Sequence, residues 1–414
     1  MPAMQPVRGT RDILPDESRR RRHVEDTAFD IAQLYGFGEI STPVFEFTDV
    51  FARTLGDVSD IVTKEMYTFQ DRGGESLTLR PENTAGVVRA FLSNGLSQHV
   101  PLKLFYRGPM FRYERPQKGR LRQFHQVGVE LLGVAEPLAD VEVIALGADF
   151  LGTLGLDDKV VLELNTLGDS ESRIAYRGVL VEYLQAHRDR LSEDSLTRLD
   201  RNPLRVLDSK DERDRAVVTD APLITDSLNA ASREFFDELT SLLGQIGVGY
   251  HLNPKLVRGL DYYCHTTFEF TTEALGAQGA VLAGGRYDGL VEQMGGPATP
   301  GTGWAAGVER LMMLIDEAPP APRPVAVVPH GSAQIGFGLA ISQRLRHAGF
   351  SVDFGYKGNL GKRLKRANKV NARAAVILGE DELSRDAVTV RDMDTGEQNE
   401  VLLASLEDHL GLHR

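Results

Sequence analysis

Charged and amide side chains alternate with an aromatic along Phe105–Leu132, FYRGPMFRYERPQKGRLRQFHQVGVELL. Two strands joined by a polar loop around Pro116 to Gly119 would gather Arg112, Glu114, Phe124, Gln126 and Glu130 over one sheet surface, because strand side chains alternate between faces. Arginine, glutamine and glutamate beside an aromatic ring suit a polar ligand, and a basic hairpin with a solvated tip is the plainer alternative. In Leu256–Phe270, LVRGLDYYCHTTFEF, Arg258 and Gly259 precede Asp261, Tyr262 and Tyr263. An arginine fork there suits phosphate or carboxylate, and tyrosine hydroxyls pair with ring nitrogens or hydroxyls. The alternative is a structural Arg-Asp pair with core tyrosines. In Ala283–Leu314 a run of glycines precedes Glu309 and Arg310, which places an arginine on a glycine-started helix. A glycine-rich loop before a packing helix accounts for that stretch equally well.

Other motifs carry less. Gly355–Arg363, GYKGNLGKR, is one residue too long for a phosphate-binding P-loop and has Arg363 where Ser or Thr is required. Cys264 and His265 lack further ligands at metal spacing and no HExxH occurs, which argues against zinc. His409 and His413 read as a solvated helix end.

The elements that hold these residues do not alternate regularly. A first helix is expected after Pro15, from the helical spacing of Val24, Ala28, Ile31, Ala32 and Tyr35 and a capping Gly36. Short strand-like runs follow at Leu77–Leu79, Leu102–Arg107, Gln123–Leu132 and Val160–Leu164, with helical stretches at Thr84–Ser93 and Asp140–Leu154. The mixture predicts an α+β fold around a largely antiparallel sheet. Residues 170–250 form a mainly helical insertion without a chemical motif. Strands return at Thr266–Thr271 and Ala280–Ala283, and a helix is expected from about Gly303 to Asp316. Pro-rich EAPPAPRP closes at Pro324, and strand-helix alternation beyond it predicts an α/β domain with a mixed sheet. The expected domains are a catalytic domain in two parts, 1–169 and 251–318, split by the insertion, then a linker at 319–324 and a domain at 325–414.

The net charge of −12 excludes a protein that coats nucleic acid non-specifically. Two local patches run against it. Residues 105–123 hold six Lys and Arg against Glu114 alone, a net of +5, and residues 344–373 hold nine against Asp353, a net of +8. Specific anionic partners are expected at two places. One cysteine, no apolar leader behind Arg19–Arg22 and no uninterrupted apolar span together predict a cytoplasmic protein with no membrane association.

These segments together resemble the class II aminoacyl-tRNA synthetases, and among them the histidyl-tRNA synthetase family. The resemblance rests on RGTRDILPDE (Arg8–Glu17), TLRPENTAG (Thr78–Gly86), FRYERPQKGRLRQFHQ of motif 2, RGLDYY (Arg258–Tyr263), AGGRYDGL (Ala283–Leu290) and GVERLMML (Gly307–Leu314) of motif 3. Pro43 sits where motif 1 places its dimer-interface proline, and AVILGEDEL (Ala375–Leu383) is similar to the family's anticodon-binding domain. Asn83 stands where the family pattern has Gly, and Cys264-His265 replace its Thr-Gly.

The resemblance implies an antiparallel sheet flanked by helices, a helical insertion and a C-terminal α/β anticodon-binding domain. It implies that L-histidine is activated by ATP, with Mg²⁺ on the triphosphate, and transferred to tRNA(His) by a homodimer. Arg112 and Arg258 would hold the α-phosphate and carboxylate, and Arg310 the γ-phosphate. Adenine would stack on Phe124 with Glu114 near its amino group. Glu82, Thr84 and Gln126 suit the ammonium, and Glu130 and Tyr263, near Tyr262, the ring nitrogens. Gln117, Arg120 and Arg122 would meet the acceptor end of the tRNA, and Lys362, Arg363 and Arg366 its anticodon stem. The rivals are the synthetase-like regulatory subunit of ATP phosphoribosyltransferase, which typically lacks the C-terminal domain and catalytic residues, and a sensor module without turnover.

Overall fold

The computed structural model describes residues 4–411 except 57, 58, 60, 118, 258, 259, 261, 277, 278 and 317. The chain divides into two compact units, Met1–Pro319 and Pro320–Arg414. In the first, α1 (Pro15–Leu34) starts on Pro15, with Asp16 and Glu17 where the helix dipole favours acids. Next come β1 (Gly38–Glu39), β2 (Phe45–Phe47), α2 (Thr48–Ala52), β3 (Tyr67–Gln70), β4 (Ser76–Leu79) and α3 (Thr84–Ser93). The basic hairpin is β5 (Leu102–Phe111) and β6 (Gln123–Leu132), followed by α4 (Leu138–Thr153) and β7 (Val161–Thr166).

The insertion holds α5 (Ser170–Ala186), α6 (Glu193–Arg201), α7 (Glu212–Val218) and α8 (Ala230–Gln245). Its four helices start on side-chain caps from Asp169, Ser192, Asp211 and Asn229, residue types that satisfy a helix's first free N–H groups. The chain then forms β8 (His251–Leu252), β9 (Cys264–Thr271), β10 (Ala280–Arg286), α9 (Leu290–Gln293), β11 (Gly301–Gly307) and α10 (Val308–Leu314).

Among the described residues, eight strands make one sheet in the order β1-β5-β6-β11-β10-β9-β7-β8. Only the flanking pairs β1/β5 and β7/β8 are parallel. Alternation along β6 sends Val127, Val129 and Leu131 into a core with Phe105, Phe150, Trp304 and residues of α1, α4, α8 and α10. The intervening Phe124, Gln126, Gly128 and Glu130 take the other face. Gly128 is required there, since a Cβ would overlap the Tyr106 ring.

The helix expected from Gly303 is corrected. Residues 301–307 form β11, and the helix runs only over Val308–Leu314. The glycines and alanines of this stretch carry no periodicity of their own, and pairing decides their state: Gly303 lies opposite Glu130 on one side and Gly285 on the other.

The second unit comprises β12 (Val325–Pro329), α11 (Ile335–His347), β13 (Val352–Phe354), α12 (Leu360–Lys369), β14 (Ala374–Leu378), α13 (Glu380–Leu383), β15 (Ala387–Asp392), β16 (Gln398–Leu402) and α14 (Leu406–Gly411). Its sheet, β13-β12-β14-β15-β16, is parallel over the first three strands and antiparallel at β15 and β16, the mixed sheet expected. No helix among the described residues is long and apolar enough to cross a membrane.

Candidate active site

A cavity of about 820 Å³ in the first unit is lined by residues of β6, β9, β10, β11 and α10. Most of the residues selected from sequence meet in it: Glu82, Thr84, Arg112, Glu114, Arg120, Phe124, Gln126, Tyr262, Tyr263 and Arg310. Arg258 lies outside the described residues, with Gly259 and Asp261.

One end of the cavity is built on a carboxylate network. Glu82 is buried before α3, and its oxygens accept the backbone N–H groups of Thr84 and Ala85 at 2.7 and 2.9 Å. Burial raises its pKa, and these two donors hold that rise back. Thr84 donates its hydroxyl to Glu130 Oε1 at 2.6 Å, and Tyr287 donates to Glu130 Oε2. Glu130 is 1% exposed and sits one layer beneath the lining, behind Thr84, Tyr287 and Gly303. Burial pushes its carboxyl up to about 8 against the pull of both donors, and the nearby Glu82 adds to the rise. Tyr262 packs on Tyr263 at 4.6 Å and edge-on to Tyr287 at 5.7 Å.

The other end is cationic and aromatic. Arg112 donates Nε to the Pro81 carbonyl at 2.8 Å and lies 5.3 Å from the Phe124 ring centre. Glu114 lies 3.3 Å from Arg120 Nε and 4.0 Å from Arg112 Nη1. Arg310 donates Nη1 to Ala280 O at 2.6 Å and Nε to Gly119 O at 3.3 Å, which joins α10 to β10 and to the hairpin tip. Burial lowers its pKa, and repulsion from Arg120 and Arg112 acts in the same direction. The Gln126 Oε1 atom is buried without a hydrogen-bond partner.

Some selected residues stand elsewhere. Gln117 is outside the lining and exchanges backbone hydrogen bonds with the cavity residue Arg120 across the hairpin tip. Arg122 covers the Tyr113 ring at 3.9 Å, and its backbone N–H donates to Gly9 O at 2.8 Å. In the second unit Lys362 is exposed in the first turn of α12, and Arg366 makes two bonds to Asp353 at 2.7 and 2.9 Å. Arg363 is buried, with Nη1 donating to the Pro329 carbonyl, so its expected place on a basic surface is corrected: the guanidinium turns inward to a backbone acceptor.

Three groups at the site were given no role from the sequence, although AGGRYDGL contains Tyr287 and Glu309 precedes Arg310. Tyr287 follows β10 directly, and AGGR before it has no alternation from which a facing could be read. Glu309 takes the His125 backbone N–H at 2.9 Å and lies 2.8 Å from its Nδ1, while Arg21 Nη1 is 2.9 Å from Nε2. Arginine only donates, so Nε2 accepts and the ring donates from Nδ1 to Glu309. Arg205, Lys210 and Arg215 of the insertion also line the cavity, and their segment carried no motif. Of the departures from the family pattern, Asn83 is buried and its Oδ1 accepts from Thr42 at 2.6 Å and Arg80 at 3.3 Å. His265 holds φ +44°, a conformation that favours the glycine it replaces, and stacks on Phe235 at 4.5 Å.

A sequence model of histidyl-tRNA synthetase matches residues 9–311, and one of an anticodon binding domain matches residues 324–411. The chain belongs to the histidyl-tRNA synthetase family. It is 66% identical, over 99% of both chains, to a histidine–tRNA ligase of Rhodospirillum rubrum, and 58% identical over the same share to one of Gluconacetobacter diazotrophicus. Its fold superposes on the apo histidyl-tRNA synthetase structure from S. aureus with a TM-score of 0.83 at 33% identity, over 98% of this chain and 99% of that one. The histidyl-tRNA synthetase resemblance read from the motifs is therefore correct, and so is the class II fold it implied.

Proposed function

We propose that the protein is a histidine–tRNA ligase, which activates L-histidine with ATP to histidyl-adenylate and then transfers the histidyl group to the 3′ end of tRNA(His). The observation that carries this reading is the convergence in one cavity of an arginine-aromatic end and the Glu82–Thr84–Glu130–Tyr287 network. In the first step the histidine carboxylate attacks the α-phosphate in line and pyrophosphate leaves. In the second a terminal ribose hydroxyl attacks the acyl carbonyl and AMP leaves. Both steps call for positioning and charge neutralisation more than for a covalent enzyme intermediate.

Arg112, fixed through Nε by Pro81, meets the α-phosphate and carboxylate with its remaining nitrogens, and Arg258 has the same assignment from sequence. Arg310 meets the γ-phosphate, and adenine stacks on Phe124 beside Glu114. ATP enters as its Mg²⁺ complex. Glu82, Thr84 and Gln126, whose Oε1 is unpartnered, take the ammonium; Tyr262, Tyr263 and Tyr287 take the imidazole, with Glu130 acting from behind through Thr84 and Tyr287.

Gln117 and Arg120 at the hairpin tip are assigned to the acceptor end, with Arg122 holding the tip's base. Lys362 and Arg366 are assigned to the anticodon stem, without Arg363. Tyr356 is 67% exposed just before α12, which suits stacking with an unpaired base. We place the ligase in the cytoplasm, on its single cysteine and its role in translation.

A homodimer is supported by the small sheet β2-β4-β3. Its register aligns Phe45, Leu79 and Tyr67 in one row and Phe47, Leu77 and Phe69 in the next. The three phenylalanines are 45% to 56% exposed, an apolar face beside Pro43 that a second copy would cover.

Amino-acid-dependent ATP–pyrophosphate exchange with each of the twenty amino acids, followed by tRNA charging, tests the reading. Exchange with histidine alone, with charging, is the expected outcome. Histidine binding without exchange would favour a regulatory subunit instead.

A further inference from the structure

The insertion supplies part of the cavity wall, through Arg205, Leu207, Ser209, Lys210, Arg215 and Thr219. Directly behind this wall lies Asp214 of α7, which is fully buried. Its Oδ1 accepts the Ser192 backbone N–H at 2.7 Å, and its Oδ2 accepts the hydroxyls of Ser192, Ser195 and Ser209 at 2.7, 2.6 and 2.6 Å. Ser192 and Ser195 belong to the start of α6, whereas Ser209 belongs to the connection between α6 and α7 and itself lines the cavity. One carboxylate therefore ties a helix start, a cavity-lining loop and α7 into a unit. A buried carboxylate with four donors is satisfied and stiff, and each donor removed leaves charge unmatched. The far end of the wall is fastened as well: Lys255 Nζ donates to Thr219 O at 3.3 Å, which bonds the wall to the segment that leads to Tyr262 and Tyr263.

We propose that Asp214 and Ser209 are positioning residues of the active site, a latch that holds the insertion wall against the tyrosine-bearing edge and sets how tightly histidine is retained. The inference rests on the ligase reading. It singles out histidine because the braces of the ATP end lie elsewhere: Arg112 is fixed by Pro81, Arg310 by Gly119 and Ala280, and the strand between Phe124 and Gln126 by Glu309. A loosened wall leaves the reacting groups in place and lets the amino acid escape, so KM for histidine moves while kcat holds.

The test uses the full chain with Ser209→Ala, which removes the bond to Asp214 together with the acceptor of the Asp211 N–H at 3.3 Å and leaves the Ser192 and Ser195 bonds to Asp214 in place. In pyrophosphate exchange KM for histidine should rise about tenfold, the loss expected for one hydrogen bond to a charged group, with KM for ATP and kcat unchanged. Ser209→Thr, which keeps the hydroxyl, should restore the parent KM. Asp214→Asn should shift KM for histidine further in the same direction; if that variant does not fold, Ser209→Ala decides alone. An unchanged KM for histidine in Ser209→Ala, or equal rises for histidine and ATP, overturns the latch. Absence of histidine-dependent exchange in the unmodified protein overturns the ligase reading and the latch with it.

Discussion

Glu130 combines near-complete burial with a carboxyl pKa raised to about 8 from an ordinary 4.5. A raised carboxyl pKa contributes stability that is complete below the unfolded value and is lost as pH climbs through the folded one, so this site weakens the unliganded fold between pH 4.5 and about 8. Glu130→Gln removes the ionisation and keeps partners for Thr84 and Tyr287. Its unfolding free energy should match the parent's near pH 4.5 and exceed it near pH 8.5, by a margin on the order of 1–3 kcal/mol read from melts at the two pH values. Histidine-dependent exchange should fall about 100-fold in kcat/KM for histidine, with ATP affinity retained; a pH-independent difference in melting would remove the ionisation from the account. Gly303 gives an independent check, because a Cβ there would overlap Glu130 Oε2 and the Val129 carbonyl. Gly303→Ala should destabilise the protein by about 1–3 kcal/mol in thermal melts and displace the carboxylate from Thr84 and Tyr287. At this scale, sequence revealed what a two-residue period reveals: Phe124, Gln126 and Glu130 share a face because β6 alternates cleanly. Arg363 was misjudged because charge patterning registers that a loop is basic and is blind to a single buried carbonyl, here that of Pro329.

The element that carries Arg310 is fixed to the element that carries Phe124 and Gln126 by one carboxylate. Glu309 at the start of α10 binds the backbone and ring of His125 on β6, and Arg21 of α1 closes the set from the other side. Glu309→Ala leaves a buried N–H and imidazole without their acceptor, a loss of about 2–4 kcal/mol in denaturant unfolding. Because helix and strand then shift relative to each other, KM for ATP should rise more than KM for histidine, the reverse of the pattern expected at Ser209. The hairpin was legible because both its strands alternate and a polar loop separates them. The strand β11 was not, since GTGWAAG has neither a helical nor a strand period and becomes a strand only between β6 and β10, where bare glycines allow close approach. The four insertion caps were equally readable in principle, whereas the latch was not: nothing in Ser192, Ser195, Ser209 and Asp214 as residues announces that one carboxylate collects all three hydroxyls.

The molecule as a whole is two compact units, Met1–Pro319 and Pro320–Arg414, and the prolines of EAPPAPRP disfavour both helix and sheet pairing. The proposed homodimer would use a different patch. On the small sheet the row of Glu46, Thr78 and Thr68 is polar and satisfied: the buried Thr78 bonds Thr48 and the exposed Thr68, and Arg89 binds the buried Glu46. The outward rows hold Phe45, Phe47, Phe69 and, half-buried, Leu77 and Leu79. A soluble sheet normally shows the opposite pattern, with its polar row toward water. A two-fold axis would bring this face against its own copy, so each residue on it counts twice. Burial of one phenylalanine is worth about 1.5–3 kcal/mol, and a symmetric Phe47→Lys change removes two such contributions and sets two ammonium groups into an apolar contact. The proposed dimer should therefore weaken by at least a factor of about 100 and sediment as a monomer at micromolar concentration. Circular dichroism of the variant should match the parent, because Phe47 is 56% exposed within one chain and leaves no hole in its own core when replaced. A variant that still sediments as a dimer would move the interface off this sheet.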